Sequence, residues 1–437
     1  MSTAIGDDYF DGHDTRDRVL RHLRIAKDLH VHYLRCAFSW NGIEPEQGKY
    51  DFRFWDMLVD EASTSGIELI PYVAYTPEWA ARDKKNFWEQ PPSDPRTFST
   101  IMERLATRYR GRIHGWELWN EPDNREYWQG TAGEFAQMVI PAAQAVRRAD
   151  PSARLVLGGM SYGPADFFQQ LALKYQIGQY FDVIATHAYP ESWHEQRAEE
   201  VFQKELPRME ELVKRSGGTP VLWVNEMGYS DYRYDPSHAS VYGTNIYYSY
   251  EHTSRYAADF LLKSFLMTAA SGDVSLAGWY RIDDFRENDP RMPSDHVHDH
   301  LGVEAVDGTV KPEFYALQLF NSLLSEPFRV ADTSTSARTN SSQTIVHTFI
   351  RQDGRVVVAG WLRSSEYGEV PAHTGMLRDT RRETVSITLP CRASQITNYN
   401  ALGKHSIVPG KLAAELKDVP LTGDRIYLAE IQCAGSN

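Results

Sequence analysis

Two dipeptides could do chemistry together: Asn120-Glu121 and Asn225-Glu226. Each follows an apolar run, Ile113 to Trp119 in the first case and Val221 to Val224 in the second, that reads as a short buried strand. Pro122 cannot donate to a sheet ladder, so the first strand stops there and leaves Glu121 at its carboxyl tip. Two carboxyl groups facing one another are the equipment for breaking a glycosidic bond, one giving a proton and the other attacking or activating water. A lone Asn-Glu is more often an ordinary surface loop. Two copies that each end a strand, 105 residues apart, leave room for three βα units of ~30–40 residues between them.

The elements that must position this pair alternate between helix and strand from residue 14 to about 325, which predicts a (β/α)₈ TIM barrel whose strand tips carry the site. Asp14 is expected to cap a helix running through residue 30, and Thr131 with Glu134 a capping box. Tyr33 to Phe38 forms a strand with an internal charge, Arg35; such a charge is costly unless paired, so a place beside Glu226 is expected. Gly158 and Gly159 follow the strand Leu155 to Leu157 and are expected to turn the chain sharply. The sixth strand, Phe181 to Ala185, leads into THAYP, so His187 and Tyr189 alternate toward one rim. The tyrosine-rich segment 229–251 reads as a binding loop over the barrel mouth. His296, His298 and His300 read as a solvated loop rather than a metal site, and the first barrel strand is not legible. From about 328 short β-type runs split by turns predict an antiparallel β-sandwich, which divides the chain into a barrel over 1–327 and an accessory domain over 328–437.

Composition narrows the partners. A net charge of −13 across 437 residues argues against nucleic acid and anionic membranes. The 11 Trp and 24 Tyr suit stacking on sugar faces, although most such rings serve as core. Cys36, Cys391 and Cys433 are too few for a disulfide framework, and no hydrophobic leader is visible, so a cytoplasmic location is the default unless a leader has been removed. Oligomeric state is not legible.

Taken together, WNEP at 119–122, the second Asn-Glu, Arg35, HAY at 187–189 and Trp279 resemble clan A of the glycoside hydrolases. SWNGIEPEQGKYDF, which contains Trp40, YTPEWA and LGVEAVDGTVKPEFYALQLF bring the chain nearest to glycoside hydrolase family 39, with family 5 second. The resemblance implies a retaining glycosidase that uses neither metal nor organic cofactor and acts on a β-xyloside- or β-glucoside-like carbohydrate. It implies Glu121 as general acid/base, Glu226 as nucleophile, Asn120 on the sugar 2-hydroxyl and Arg35 supporting the nucleophile. Tyr189 and His187 would hold the nucleophile and substrate, Trp40 would contact substrate, and Trp279 would form an aromatic floor. An endo-acting polysaccharide hydrolase or a transglycosylase would use the same pair. A non-catalytic sugar binder would usually have lost one glutamate, and a Schiff-base aldolase would need a strand-end lysine, which no predicted strand supplies.

Overall fold

The computed structural model describes residues 1–435 apart from 10, 11, 13, 194, 195, 233–251, 287–295, 325, 326, 332–342 and 364–378. Eight parallel strands close into a barrel: β1 (Ser2–Asp7), β2 (Tyr33–Ser39), β3 (Glu68–Ala74), β4 (Gly115–Leu118), β5 (Arg154–Met160), β6 (Val183–Ala188), β7 (Val221–Met227) and β8 (Val274–Tyr280). The illegible first strand is therefore present, and β8 closes onto it with Trp279 beside Ile5. Alternation sends one set of side chains inward, where Ala4, Ile70, Val156, Val183, Ala185, Trp223 and Leu276 fill the barrel interior.

A helix follows every strand: α1 (Arg16–Asp28), α2 (Arg53–Ser65), α3 (Arg96–Arg108), α4 (Ala132–Ala149), α5 (Asp166–Leu173), α6 (Leu206–Arg215), α7 (Ser254–Ser271) and α8 (Pro312–Leu324). The capping box predicted at Thr131 and Glu134 starts α4. The cap of α1 is Thr15 rather than Asp14, because the Asp14 carboxylate is taken by Arg18 at 2.8 Å. Gly158 and Gly159 do not turn the chain; they lie inside β5, where a Cβ on Gly158 would meet the Trp119 carbonyl oxygen at 2.5 Å. They are glycines for close approach.

The C-terminal domain is an antiparallel β-sandwich built from β9 (Phe328–Val330), β10 (Thr344–Arg351), β11 (Val356–Leu362), β12 (Arg382–Tyr399), β13 (His405–Thr422) and β14 (Tyr427–Cys433), hydrogen-bonded in the order 13-12-14-11-10-9. Where only short β-type runs were expected, β12 is a single strand of 18 residues, with Val385–Leu389 and Ile396–Tyr399 both inside it. Register shifts near Ile387 and Ala393 bend the β12–β13 ribbon, so Ile387, Leu416 and Leu421 pack over Val346, Val358 and Ile431. A disulfide joins Cys391 to Cys433, so one bridge exists where no framework was expected, while Cys36 stays free and buried.

Every residue of α7 from Tyr256 to Ala269 is buried, because this helix has the barrel on one side and the β-sandwich on the other. The seam is also polar: Lys263 donates to the Gly423 carbonyl at 2.8 Å, and the Ile426 N–H donates to Asp259 at 3.0 Å. No helix among the described residues is long and apolar enough to cross a membrane.

Candidate active site

At the C-terminal mouth of the barrel, the tip of β4 is fixed by two backbone hydrogen bonds, from the Trp119 N–H to the Val73 carbonyl and from the Glu121 N–H to the Gly159 carbonyl. Trp119 and Glu121 both adopt left-handed backbone, with φ of 79° and 46°. Such conformations cost of order 1–3 kcal/mol each in non-glycine residues and collect where a side chain must be aimed. Glu226 lies inside β7 and is paired in register with His187 of β6.

The side chains converge. His187 Nδ1 lies 2.7 Å from a Glu121 carboxylate oxygen and 3.6 Å from one of Glu226. One carboxylate oxygen of Glu121, one of Glu226 and a His187 ring nitrogen all fall within 4.8 Å of one another. Arg35 donates to Glu226 at 2.5 Å and to the Asn120 side-chain oxygen at 2.6 Å, and Tyr189 donates its hydroxyl to Glu226 at 2.5 Å. Thus Glu121, Glu226, Arg35, Asn120, His187 and Tyr189, singled out from sequence, form one buried cluster.

Two predicted residues do not join it. Trp40 is fully buried, donates to Glu44 at 2.9 Å and packs on Trp79 and Phe98, which leaves no face for a ligand. Trp279 is likewise fully buried and faces outward to Phe265 of α7. Its neighbour Tyr280 takes the inward position, with its hydroxyl at the mouth. Of the expected tyrosine loop, Tyr234, Tyr242, Tyr247, Tyr248 and Tyr250 lie outside the described residues, while Tyr229 packs on Phe260. The stretch around His298 is a short helix, His296–Asp299, rather than a solvated loop, and the His298 ring stacks on Phe285 at 5.1 Å.

Sequence reasoning missed Glu117, Tyr75 and Asp8. Glu117 is fully buried and grips Arg35 with both oxygens, at 2.8 and 3.0 Å, while accepting from Asn225 at 3.0 Å and the Gly159 N–H at 3.1 Å. Its signal was legible: a carboxylate inside the apolar strand Trp116-Glu117-Leu118 demands a cation as Arg35 demands an anion. Tyr75 receives the Asn120 amide at 3.1 Å.

Electrostatics follow from burial and crowding. Burial raises Glu226 above the ordinary carboxylate range; His187 and Arg35 pull it back, Glu121 pushes it up, and the Tyr189 hydrogen bond lowers it again. Burial opposes the charged form of His187, yet Glu226 and Glu121 outweigh it and raise the imidazole. Tyr189 is held well above the phenol range, by burial first and by Glu226 second, so it stays a donor. Among the described residues, three groups of carboxylates and imidazoles have the spacing to hold a cation, and in each the chain places its own: Arg18 and Arg281 at Asp7, His22 and Asp283; Arg35 at Glu226; Lys311 at Asp231 and Asp284.

The family model for glycosyl hydrolases family 39 matches residues 10–365. The chain belongs to that family. By structure it is similar to a family 39 glycoside hydrolase from Bacteroides cellulosilyticus WH2, with a TM-score of 0.71 and 15% identity over 99% of this chain and 81% of that one. It is similar also to a monomeric beta-xylosidase from Caulobacter crescentus CB15, with a TM-score of 0.68 and 16% identity over 100% and 96% of the two chains. At those identities the likeness is one of fold. By sequence it is 26% identical to endo-1,4-beta-xylanase A of Phanerodontia chrysosporium over 132 residues, 28% of this chain and 31% of that protein. The chain thus spans about a third of the length of the curated relatives it matches.

Proposed function

We propose that this family 39 enzyme is a retaining glycosidase acting on a β-xyloside- or β-glucoside-like substrate, with Glu226 as nucleophile and Glu121 as general acid/base. The observation that carries the reading is the approach of the two carboxylates, with an oxygen of each within 4.8 Å. Retaining enzymes hold their pair ~5–5.5 Å apart, whereas inverting ones need ~6.5–9.5 Å to admit a water between carboxylate and sugar. Roles follow from neighbours. Arg35 and Tyr189 both donate to Glu226 and so stabilise its ionised, attacking form, while among the described residues Glu121 has only His187 and Asn124 hydrogen-bonded at its oxygens.

In the first step a Glu226 oxygen bonds to the anomeric carbon as the bond to the leaving oxygen breaks, and that oxygen takes the Glu121 proton. In the second, water attacks the same carbon, Glu121 removes its proton, and Glu226 leaves as carboxylate. The test is nuclear magnetic resonance of the first-formed sugar from aryl β-xylosides and β-glucosides. The β-anomer is expected, with its release abolished in Glu226→Ala; an initial α-anomer would sink the scheme.

A second reading, endo action on a polysaccharide, draws on one observation. Tyr75, which meets Asn120, stacks at 5.8 Å on Tyr127, and Trp88, 38% exposed, stands edge-on to Tyr75, making an aromatic shelf beside Asn120. The Cys391–Cys433 bridge supports an oxidising compartment over the cytoplasmic default.

A further inference from the structure

The strand that was illegible in sequence brings a carboxylate to the mouth. Ala4 packs inside the barrel, and a Cβ on Gly6 would meet the Tyr280 ring at 3.1 Å, so alternation points Asp8, just beyond β1, inward as well. Tyr72 donates its hydroxyl to one Asp8 oxygen, and Tyr280 donates to the other at 2.6 Å. Both phenols are held well above their usual range, by burial first and by the Asp8 charge second, so both stay donors. Each Asp8 oxygen therefore keeps accepting capacity beyond its phenol.

Its position relative to the chemistry follows from strand order. With eight strands around the barrel, the direction opposite the midpoint of β4 and β7 falls between β1 and β2. A sugar whose anomeric carbon lies between Glu121 and Glu226 has the far edge of its ring toward Asp8. The two tyrosines tie Asp8 to the nucleophile's surroundings on both sides: Arg35 sits 4.5 Å over the Tyr72 ring, and Tyr280 packs with Tyr189. Among the described residues, the neighbouring cations Arg281 and Arg18 are already engaged, Arg281 with Asp7 at 3.0 Å and Asp283 at 3.3 Å, and Arg18 with Asp7 and Asp14 at 2.8 Å each.

We infer that Asp8 is the specificity residue of this site: its carboxylate accepts hydroxyls on the far edge of a neutral sugar and repels a uronate. The inference rests on the glycosidase reading above. A hydroxyl donates to a carboxylate and gains a charge-assisted hydrogen bond, whereas a sugar carboxylate brings like charge into a buried pocket where the described residues offer no free cation to offset it.

The experiment is covalent trapping of the intact protein with 2-deoxy-2-fluoro-β-D-xylosyl, -glucosyl and -galactosyl fluorides against the matching glucuronyl fluoride, followed by mass spectrometry and peptide mapping. Labelling at Glu226 by at least one neutral probe, about 100-fold or more faster than by the glucuronyl probe, is expected. In Asp8→Asn the best neutral probe should label about 10- to 100-fold more slowly, the worth of a hydrogen bond to a charged group, and its lead over the glucuronyl probe should shrink. A merely structural Asp8 would slow all probes alike and leave that ratio unchanged, which overturns the inference. Wild-type labelling by the glucuronyl probe as fast as by the neutral ones overturns it without any variant, and the glycosidase reading then stands. Failure of every probe to label Glu226 overturns that reading, and the inference with it.

Discussion

Glu226 and His187 are coupled: burial raises the carboxyl, and Glu226 with Glu121 raises the imidazole. Both hold a proton more tightly folded than unfolded, Glu226 above its usual 4.5 and His187 above its usual 6.5. Stability from a raised group is complete below its unfolded value and is lost as pH rises through its folded value. The wild-type protein should therefore lose stability progressively as pH climbs from 4.5, with the His187 contribution fading above 6.5. Glu226→Gln removes one group and weakens the field that raises the other. Urea midpoints at pH 5, 7 and 9 should fall less steeply in that variant; parallel slopes would show that the pair does not set the profile. At this same scale lie the errors of sequence reading. Trp279 and Tyr280 are adjacent, and one residue of register decides which faces the pocket, so without a fixed strand start the larger aromatic was the natural but misplaced choice. Glu117 was missed although the argument applied to Arg35 applied equally to it.

Strands and helices were legible where periodicity was strong and lost where it was not. The helix expected from Asp14 through residue 30 forms as Arg16–Asp28, and the two Asn-Glu motifs end or nearly end β4 and β7 as expected. β1 escaped notice because STAIGD is short and small-residued, and its pattern competes with an acidic terminus. β13 was missed because its residues are mostly exposed, so no alternation of apolar positions marked it. The element that most constrains the site is β5. A Cβ on Gly159 would lie 2.0 Å from His187 Nε2, so Gly159→Ala must displace the imidazole from Glu121. A misplacement of about 1 Å at such a site can lower turnover about 100-fold. Steady-state kinetics should show that loss chiefly in kcat, with a melting temperature near that of wild type; unchanged kcat would mean the ring finds another route to Glu121.

For the molecule as a whole, the Cys391–Cys433 bridge closes a 42-residue separation and ties β12 to the end of β14. Loops of this length contribute about 2–4 kcal/mol by restricting the unfolded chain. Cys391→Ser should lower the urea midpoint accordingly while leaving hydrolysis intact, because the bridge lies in the domain away from the barrel mouth; a midpoint equal to wild type would show that the sandwich holds without it.

The burial of α7 on both sides also matters while the chain is being made. The helix is complete at Ser271 and the barrel's last helix at Leu324, but the sandwich strands that cover α7 are encoded after them, through Cys433. At synthesis rates of ~5–20 residues per second, those last hundred or so residues take about 5–20 s to emerge. For that interval a finished barrel presents the sandwich-facing side of α7 to the cell, a largely apolar surface that a chaperone could hold and that a ribosome stalled before β10 would leave permanently exposed.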